Sequence, residues 1–221
     1  MNKKHIKKAY IFAAVLSLVL YLAGIFTGFV VQNSTLKYTE KKVASLQRRV
    51  ENLQLEYIYL STSNDKFNCK FLSALLDDTS KDMWLIRDEL VKLESNPKNE
   101  NSYNYQELKR EYSLVSTRAW ILNSVTKEKC DESVVVVLYF YSVPCERCLE
   151  QGNILDELKS TVFDSKLRVF VLDIGVDEPI VKTLKSTYLI TETPSLVVGN
   201  QTLQGFVNKD MLRDLIYSKL E

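Results

Sequence analysis

The sequence predicts an α/β domain at the C-terminal end of the chain, preceded by a transmembrane helix and an antiparallel helical stalk. Three observations lead to this prediction: an uncharged apolar run near the N-terminus, heptad spacing after it, and β-branched segments alternating with amphipathic helices beyond residue 132. The 46% of apolar and 26% of charged residues are typical of folded proteins. A net charge of +1 gives no sign of a nucleic-acid partner.

The first element is Tyr10–Val31, a run of 22 residues without a charge. At about 1.5 Å per residue it spans roughly 30 Å, the thickness of a bilayer's hydrocarbon core. Residues 1–9 contain four lysines, whereas the first basic residue after the run is Lys37. The positive-inside rule therefore predicts a single-pass cell-membrane protein with a basic cytoplasmic tail (1–9) and an extracytoplasmic remainder. The run is too long for the core of a cleaved signal peptide, which favours an uncleaved signal anchor.

Residues 36–129 are predicted to form a helical coiled-coil stalk. Apolar residues recur first in steps of three and four over about four heptads, the pattern of a coiled coil. They are Leu36, Val43, Leu46, Val50, Leu53, Tyr57 and Leu60, and the polar Thr39 occupies the remaining heptad position. The polar run Ser61–Asp65 ends this helix, and Pro97 ends a second one because proline disfavours helix at the preceding residue. A third helix follows, and the three are expected to stack up-down-up.

The same residues allow a different partner for the first helix. It could pair with its copy in a second chain, since Gly24 and Gly28 form a GxxxG pair that brings transmembrane helices together. Intrachain packing and a homodimer therefore both remain open for this helix. The second and third helices also need an apolar partner, which favours the intrachain stack.

Two of the four cysteines belong to this stalk. In the up-down-up arrangement Cys69, near the start of the second helix, and Cys130, after the third, lie at the same end. They are predicted to form a structural disulfide, which would stabilise the fold by about 4 kcal/mol. The alternatives are two unpaired cysteines, a zinc site shared with Cys145 and Cys148, or a role in resolving a mixed disulfide with Cys145. No metal or cofactor is otherwise predicted, since the single histidine, His5, lies in the basic tail.

Residues 132–221 show the element order β-α-β-α-β-β-α. Ser133–Tyr141 and Lys166–Ile174 are β-branched without alternation, which predicts strands buried on both faces. Pro194 opens a third short strand, where proline is tolerated, and Gly199 turns the chain into a fourth. Amphipathic helices are predicted at Cys145–Ser160, Glu178–Tyr188 and Lys209–Leu220.

This order, with Cys145-Glu146-Arg147-Cys148 at the first strand-to-helix junction and Pro194 opening the third strand, resembles the thioredoxin superfamily over about 40% of the chain. The first strand and helix of full thioredoxins are not evident, so the resemblance is to a minimal core. We expect the third stalk helix to cover the face that they would occupy.

The resemblance implies a thiol–disulfide oxidoreductase acting on extracytoplasmic proteins. Cys145 would be the nucleophile and Cys148 the resolving cysteine, with the backbone of Thr193 before a cis Pro194 binding the substrate peptide. The implied partners are cysteine-containing client proteins and a protein that recycles the pair. A helix N-terminus stabilises a thiolate, which is consistent with this chemistry.

The sequence also departs from the thioredoxin pattern. Glu146 disfavours a Cys145 thiolate whereas Arg147 favours it, and Tyr139 stands where thioredoxins have a buried aspartate that accepts a proton. These departures put efficient reduction in doubt. The alternative function is a redox-inactive binding or scaffold module with a structural Cys145–Cys148 bond.

Overall fold

The computed structural model divides the chain into two units, Met1–Ser63 and Asn64–Glu221. It describes residues 15–27, 44, 47–48, 50–61, 65–94 and 102–220. The basic tail, both ends of the predicted anchor and residues 28–43 lie outside the described residues. Among those that are described, no helix is both long enough and apolar enough to cross a membrane.

In the first unit, residues 15–27 and 50–61 are helical. The second of these helices carries the end of the heptad pattern. Three of its apolar heptad side chains are exposed, since Val50 is 52%, Leu53 42% and Tyr57 74% accessible to solvent, whereas Leu60 is partly buried.

The second unit is built on a four-stranded mixed sheet. Its strands are β1 (Val135–Tyr141), β2 (Leu167–Asp173), β3 (Ser195–Val198) and β4 (Gln201–Gln204). Their spatial order is β2-β1-β3-β4, with β2 parallel to β1 and the other two pairings antiparallel. The predicted β-α-β-α-β-β-α order is confirmed.

Five helices complete this unit. They are α1 (Asp65–Glu94), α2 (Tyr103–Cys130), α3 (Glu146–Leu158), α4 (Pro179–Thr187) and α5 (Lys209–Leu220). Side chains of β1 alternate between the two faces of the sheet, as the pleat requires. Val135, Val137 and Tyr139 pack with α3 and α5, whereas Val136, Leu138 and Phe140 pack on the opposite side with α2 and α4. Both faces are therefore buried, and this explains why β1 reads as an uninterrupted apolar run.

The helix after β1 differs from its predicted form. It was expected to continue to Ser160, but the α-helix ends at Leu158 and the chain winds into a π-helical turn, Lys159–Phe163. A short 3-10 turn then leads to β2. The change of winding brings Phe163 into the core, where it is 3% exposed and its ring lies 4.8 Å from that of Tyr217.

Helix α2 covers one face of the sheet, as expected for the last stalk helix. Three polar side chains of α2, spaced seven residues apart, contact successive positions along β2. Lys109 pairs with the carboxylate of Asp173, the Ser116 hydroxyl donates to the Val171 carbonyl (3.0 Å), and Asn123 accepts from Arg168 (2.6 Å). Because seven residues are close to two helical turns, one stripe of α2 follows the strand.

A disulfide between Cys69 and Cys130 joins α1 and α2 at the end of the hairpin opposite the connection between the two helices. The two Cα atoms are 5.8 Å apart. Leu72, Leu75 and Leu90 of α1 are buried. The two helices predicted as part of the stalk thus belong to the same compact unit as the sheet.

Candidate functional site

The cysteines at the C-terminal end of β1 are positioned by the start of α3. Cys145 is the N-cap residue of this helix, with an extended backbone (φ −159°, ψ 102°), and Cys148 lies in its first turn. Cys145 is partly exposed, whereas Cys148 is 5% exposed and packs into the core. A reaction partner in solution therefore meets the sulfur of Cys145 first.

The two cysteines form a disulfide, with Cα atoms 5.2 Å apart. Sγ of Cys145 also accepts a hydrogen bond from the backbone N–H of Cys148 at 3.0 Å. The first N–H groups of a helix have no partner inside the helix, so this sulfur takes the place that a serine or aspartate oxygen usually fills. The same donor and the helix dipole would stabilise negative charge on this sulfur.

Helix α3 is fixed behind the cysteines by its buried side. Gln151 is fully buried, and its side-chain oxygen accepts from the backbone N–H of Val207 at 2.8 Å. Leu155 and Leu158 are also buried in the core beneath the sheet. The helix behind the cysteines is thus held by contacts that do not involve the sulfurs.

Tyr139 lies on β1 beneath the first turn of α3. It is 4% exposed, and its hydroxyl donates to the carbonyl of Cys148 at 2.7 Å. Burial raises the pKa of this phenol, so the group stays protonated and serves as a donor at neutral pH. The sequence comparison with thioredoxins identified the residue but not this contact.

The predicted substrate-binding residues lie at the same end of the sheet. Thr193 precedes a buried Pro194, and the bond between them is cis. The hydroxyl of Thr193 lies 2.7 Å from that of Ser142, which follows β1 directly before the cysteine loop. Because β3 runs antiparallel to β1, its start meets the end of β1, and this brings Thr193 near the cysteines. Ser142 was not predicted as part of the site.

The other predicted cysteine pair lies elsewhere. Cys130 precedes β1 and Cys145 follows it, so the seven residues of the strand separate the two disulfides by roughly 20 Å. That separation excludes a zinc site shared by all four cysteines. It equally excludes Cys69 or Cys130 as the group that resolves a mixed disulfide on Cys145.

The surface around Cys145 is apolar with a few charges. Val143 is 59% and Leu149 72% exposed, and Pro144 is also exposed, with a cis bond to Val143. Glu146 and Arg147 both face solvent. Their opposite effects on charge at Cys145 are therefore screened by water.

A second polar cluster lies at the same end of the sheet, between β2 and the helical hairpin. The buried carboxylate of Asp173 pairs with Lys109 and accepts from the backbone N–H of Gly175 at 2.8 Å. Lys109 and Asp173 line a cavity of about 250 Å³ with Tyr112 and Tyr141. The pKa of Tyr112 is raised by burial, and the positive charge of Arg87 at the cavity wall offsets only part of this effect. The cluster was not predicted from the sequence. The one sequence feature that could have indicated it is Asp173, a carboxylate at the end of a buried strand.

Several solved structures similar to part of this chain are thioredoxins or thioredoxin-like proteins. Chloroplastic thioredoxin z is 15% identical, with 44% of this chain and 88% of that chain covered and a TM-score of 0.35. A thioredoxin-like protein from Clostridium perfringens is 20% identical over 41% of this chain and 75% of that one, with a TM-score of 0.35. The thioredoxin of Malassezia sympodialis is 18% identical over 40% and 77%, with a TM-score of 0.33. No family model matches the chain, and no curated protein matches it.

Proposed function

We propose that the chain is a thiol–disulfide oxidoreductase whose thioredoxin-like domain, residues 132–221, exchanges disulfides with cysteine-containing client proteins. The observation that carries the proposal is the position of Cys145. Its sulfur is partly exposed, caps a helix and accepts the N–H of Cys148, while Cys148 is buried behind it. A cysteine so placed is a good leaving group and nucleophile, because the thiolate that forms on it is stabilised.

The proposed reaction begins with the disulfide present in the structure. A client thiolate attacks Sγ of Cys145, and the bond to Cys148 breaks, leaving a Cys148 thiolate that takes up a proton. The second client thiolate then attacks the client's own sulfur in the mixed disulfide and releases Cys145 as a thiolate. Two electrons pass from the client dithiol to the Cys145–Cys148 pair, and the reverse sequence reduces a client. A separate protein must recycle the pair.

Client binding is proposed to use the surface beside Cys145. Val143, Pro144 and Leu149 offer exposed apolar contact next to the sulfur. Thr193 would pair through its backbone with an extended client peptide, and Pro194 has no N–H to compete for it. Backbone pairing of this kind is largely independent of client sequence, which suits a protein with several clients.

We propose that Tyr10–Val31 anchors this domain outside the cytoplasm. The run is 22 residues long without a charge, and the lysines are concentrated before it. Two disulfides in one chain are also typical of an oxidising compartment. If a protease added outside intact cells leaves the domain uncut while it is cut in lysed cells, the proposed orientation is wrong.

The exchange proposal is tested by trapping clients. In Cys148→Ser the resolving sulfur is absent, so mixed disulfides between Cys145 and clients should accumulate after acid quenching and alkylation. Cys145→Ser is the matched control, because it retains Cys148, three residues away, but removes the exposed sulfur. The products are counted by non-reducing electrophoresis and identified by mass spectrometry. Equal adducts in both variants, or none in either with client redox states unchanged, would contradict the proposal.

One observation favours the alternative, a binding module with a structural Cys145–Cys148 bond. The raised pKa of Tyr139 makes its hydroxyl a donor to the Cys148 carbonyl, and a protonated phenol cannot accept the Cys148 proton. The reduction potential of the pair separates the two functions. A value below about −300 mV marks a structural bond, and a higher one an exchangeable bond.

A further inference from the structure

The cavity between the helical hairpin and the sheet has no part in the exchange proposed above. Its volume of about 250 Å³ lies just below the range of about 300–1,000 Å³ that is typical of sites for drug-sized ligands. The wall includes Tyr141 and Asp173, the last residues of the parallel strands β1 and β2. Ligands of α/β proteins bind preferentially at the carboxyl ends of such strands. Size and position therefore both fit a small molecule or a single side chain.

The wall of this cavity has an uncompensated positive charge. Asp173 pairs with Lys109, and their side chains are only 5% and 15% exposed, so these two charges cancel on the buried side of the cavity. Arg87 of α1 also lines the cavity. Within the part of the chain that the structure describes, Arg87 forms no hydrogen bond and no ion pair. Its guanidinium is therefore available to an anion.

Tyr112 of α2 provides a neutral donor in the same wall. Its hydroxyl has no hydrogen-bond partner among the described residues, and the charge of Arg87 acts on it. The pKa of this phenol is raised by burial, so the hydroxyl keeps its proton at neutral pH and can donate it to a hydrogen bond. A planar guanidinium binds the two oxygens of a carboxylate through parallel N–H groups. Arg87 and Tyr112 together thus suit one carboxylate.

The remaining wall is largely apolar and indicates what the carboxylate is attached to. It is formed by Leu90 and Val91 of α1 and by Val171 of β2. Inorganic phosphate, which has no apolar part, would leave these side chains in contact with water. An aliphatic stem of a few carbons would cover them and gain the free energy of apolar burial.

We propose that this cavity binds a carboxylate on a short aliphatic stem, held by Arg87 and Tyr112. The Lys109–Asp173 pair is neutral as a whole, so the site has one positive charge to offer and suits a monoanion. A free organic acid or the glutamate side chain of a peptide can supply this group. The site does not depend on disulfide exchange, so either proposal can fail alone.

Titration of the full chain in detergent with hexanoate tests the site. The readout is the methyl NMR signals of Leu90, Val91 and Val171, and hexanol is the matched probe because it has the same stem without the charge. Hexanoate should shift these signals saturably, and hexanol should not do so at the same concentrations. The methyl signals of Leu189, which is 74% exposed and lies outside the cavity wall, should respond to neither. Equal responses to the two probes, or none to hexanoate, would overturn the proposal.

The guanidinium is tested by substitution. Arg87→Gln should raise the dissociation constant for hexanoate by about tenfold or more, because it removes a charged hydrogen-bond donor. Lys81→Gln is the matched control, since Lys81 lies on the same helix, is 73% exposed and pairs with Asp78 instead of lining the cavity. It should leave the dissociation constant unchanged. Unchanged methyl spectra without hexanoate show that both variants fold. If Arg87→Gln binds hexanoate as tightly as the unmodified protein does, the proposal is wrong.

A pair of capped peptides identifies the source of the carboxylate. Alanine–glutamate–alanine and its glutamine counterpart, both acetylated and amidated, are added in competition with hexanoate. Competition by the glutamate peptide alone would support recognition of an acidic residue in a client. Binding of hexanoate without competition by either peptide would support a free organic acid. Equal competition by both peptides would show that the charge is not recognised and would overturn the proposal.

Discussion

The two ends of β1 each carry a disulfide, but the bonds close rings of very different size. At the N-terminal end, Cys69 and Cys130 are 61 residues apart in sequence and tie the helical hairpin together. At the C-terminal end, Cys145 and Cys148 are three residues apart and close only the first turn of α3. At that end the hairpin is held to the sheet instead by the ion pair of Lys109 and Asp173.

If the Cys145–Cys148 pair exchanges disulfides as proposed, β1 separates the bond that stabilises the fold from the bond that reacts. In the chain-entropy model, a cross-link stabilises a fold by restricting its unfolded chain, and the effect grows with ring size. The long ring therefore contributes much to the stability of the second unit. The short ring contributes less, so we expect the Cys145–Cys148 bond to open without unfolding the domain. Noncovalent contacts, including the Lys109–Asp173 ion pair, also hold this end of β1, where exchange is proposed and which is therefore named the reactive end.

The largest expected effect is on stability when each disulfide is removed as a pair. In the fragment Asn64–Glu221, Cys69→Ser/Cys130→Ser should lower the free energy of unfolding by about 4 kcal/mol because the large ring is lost. Cys145→Ser/Cys148→Ser should lower it by about 2 kcal/mol, the entropy of a small ring. Urea unfolding followed by circular dichroism measures both. If Cys145→Ser/Cys148→Ser loses as much stability as Cys69→Ser/Cys130→Ser, ring size does not distinguish the two disulfides.

The next effect concerns the ion pair at the reactive end. Lys109→Met leaves the carboxylate of Asp173, which is 5% exposed, without its positive partner. We expect the free energy of unfolding to fall by about 3 kcal/mol, because an unpaired buried charge is strongly unfavourable.

Lys81→Met is the control for this ion pair. Lys81 pairs with Asp78 on the surface, where both side chains are more than 70% exposed, and such pairs contribute at most about 1 kcal/mol. If the two variants unfold at the same urea concentration, the ion pair does not hold the reactive end. The stability of that end would then have to come from apolar packing alone.

The smallest expected effect comes from Tyr139. Tyr139→Phe removes the hydrogen bond to the Cys148 carbonyl and should cost about 1 kcal/mol at pH 7. Burial raises the pKa of this phenol above its ordinary 10.0, so the folded state holds the proton more tightly than the unfolded state does. The resulting stabilisation is complete below pH 10 and is lost as the pH rises beyond it, by at most about 1.4 kcal/mol per pH unit.

Urea midpoints at pH 7 and pH 11 test this dependence. The loss of stability between the two should be smaller in Tyr139→Phe than in the unmodified fragment. Tyr103→Phe, at a side chain that is 76% exposed, should leave the loss unchanged. An identical loss in all three proteins would show that Tyr139 is not held protonated by burial.

Most of the sheet and its helices could be predicted from the sequence, because strands such as β1 are buried on both faces and are therefore recognisable as apolar runs. The way α2 packs could not be predicted in the same way. Helix α2 buries the apolar side chains of Ala119 and Leu122, but it also buries a polar side. Ser116 and Asn123 belong to that side, and a search for apolar periodicity cannot recognise it.

The candidate site divides along similar lines. Cys145, Cys148 and Pro194 could be identified from the sequence because of their residue types. Cysteine can form a disulfide, and proline has a fixed φ and no N–H. Lys109 and Asp173 resemble ordinary surface charges in the sequence, 64 residues apart, and only the packing of α2 on β2 brings them together. The same holds for Ser142, which meets Thr193 across 51 residues.

The regular contacts of α2 with β2 also restrict how the chain can vary in length. Lys109, Ser116 and Asn123 meet successive parts of one strand, so a residue inserted between them would turn the rest of the helix by about 100° and move its partners off the strand. Insertions and deletions in related proteins should therefore fall in the connection between α1 and α2, outside the part of α2 that follows β2. The spacing of the contact residues along α2 is therefore fixed by the residues of β2 that they meet.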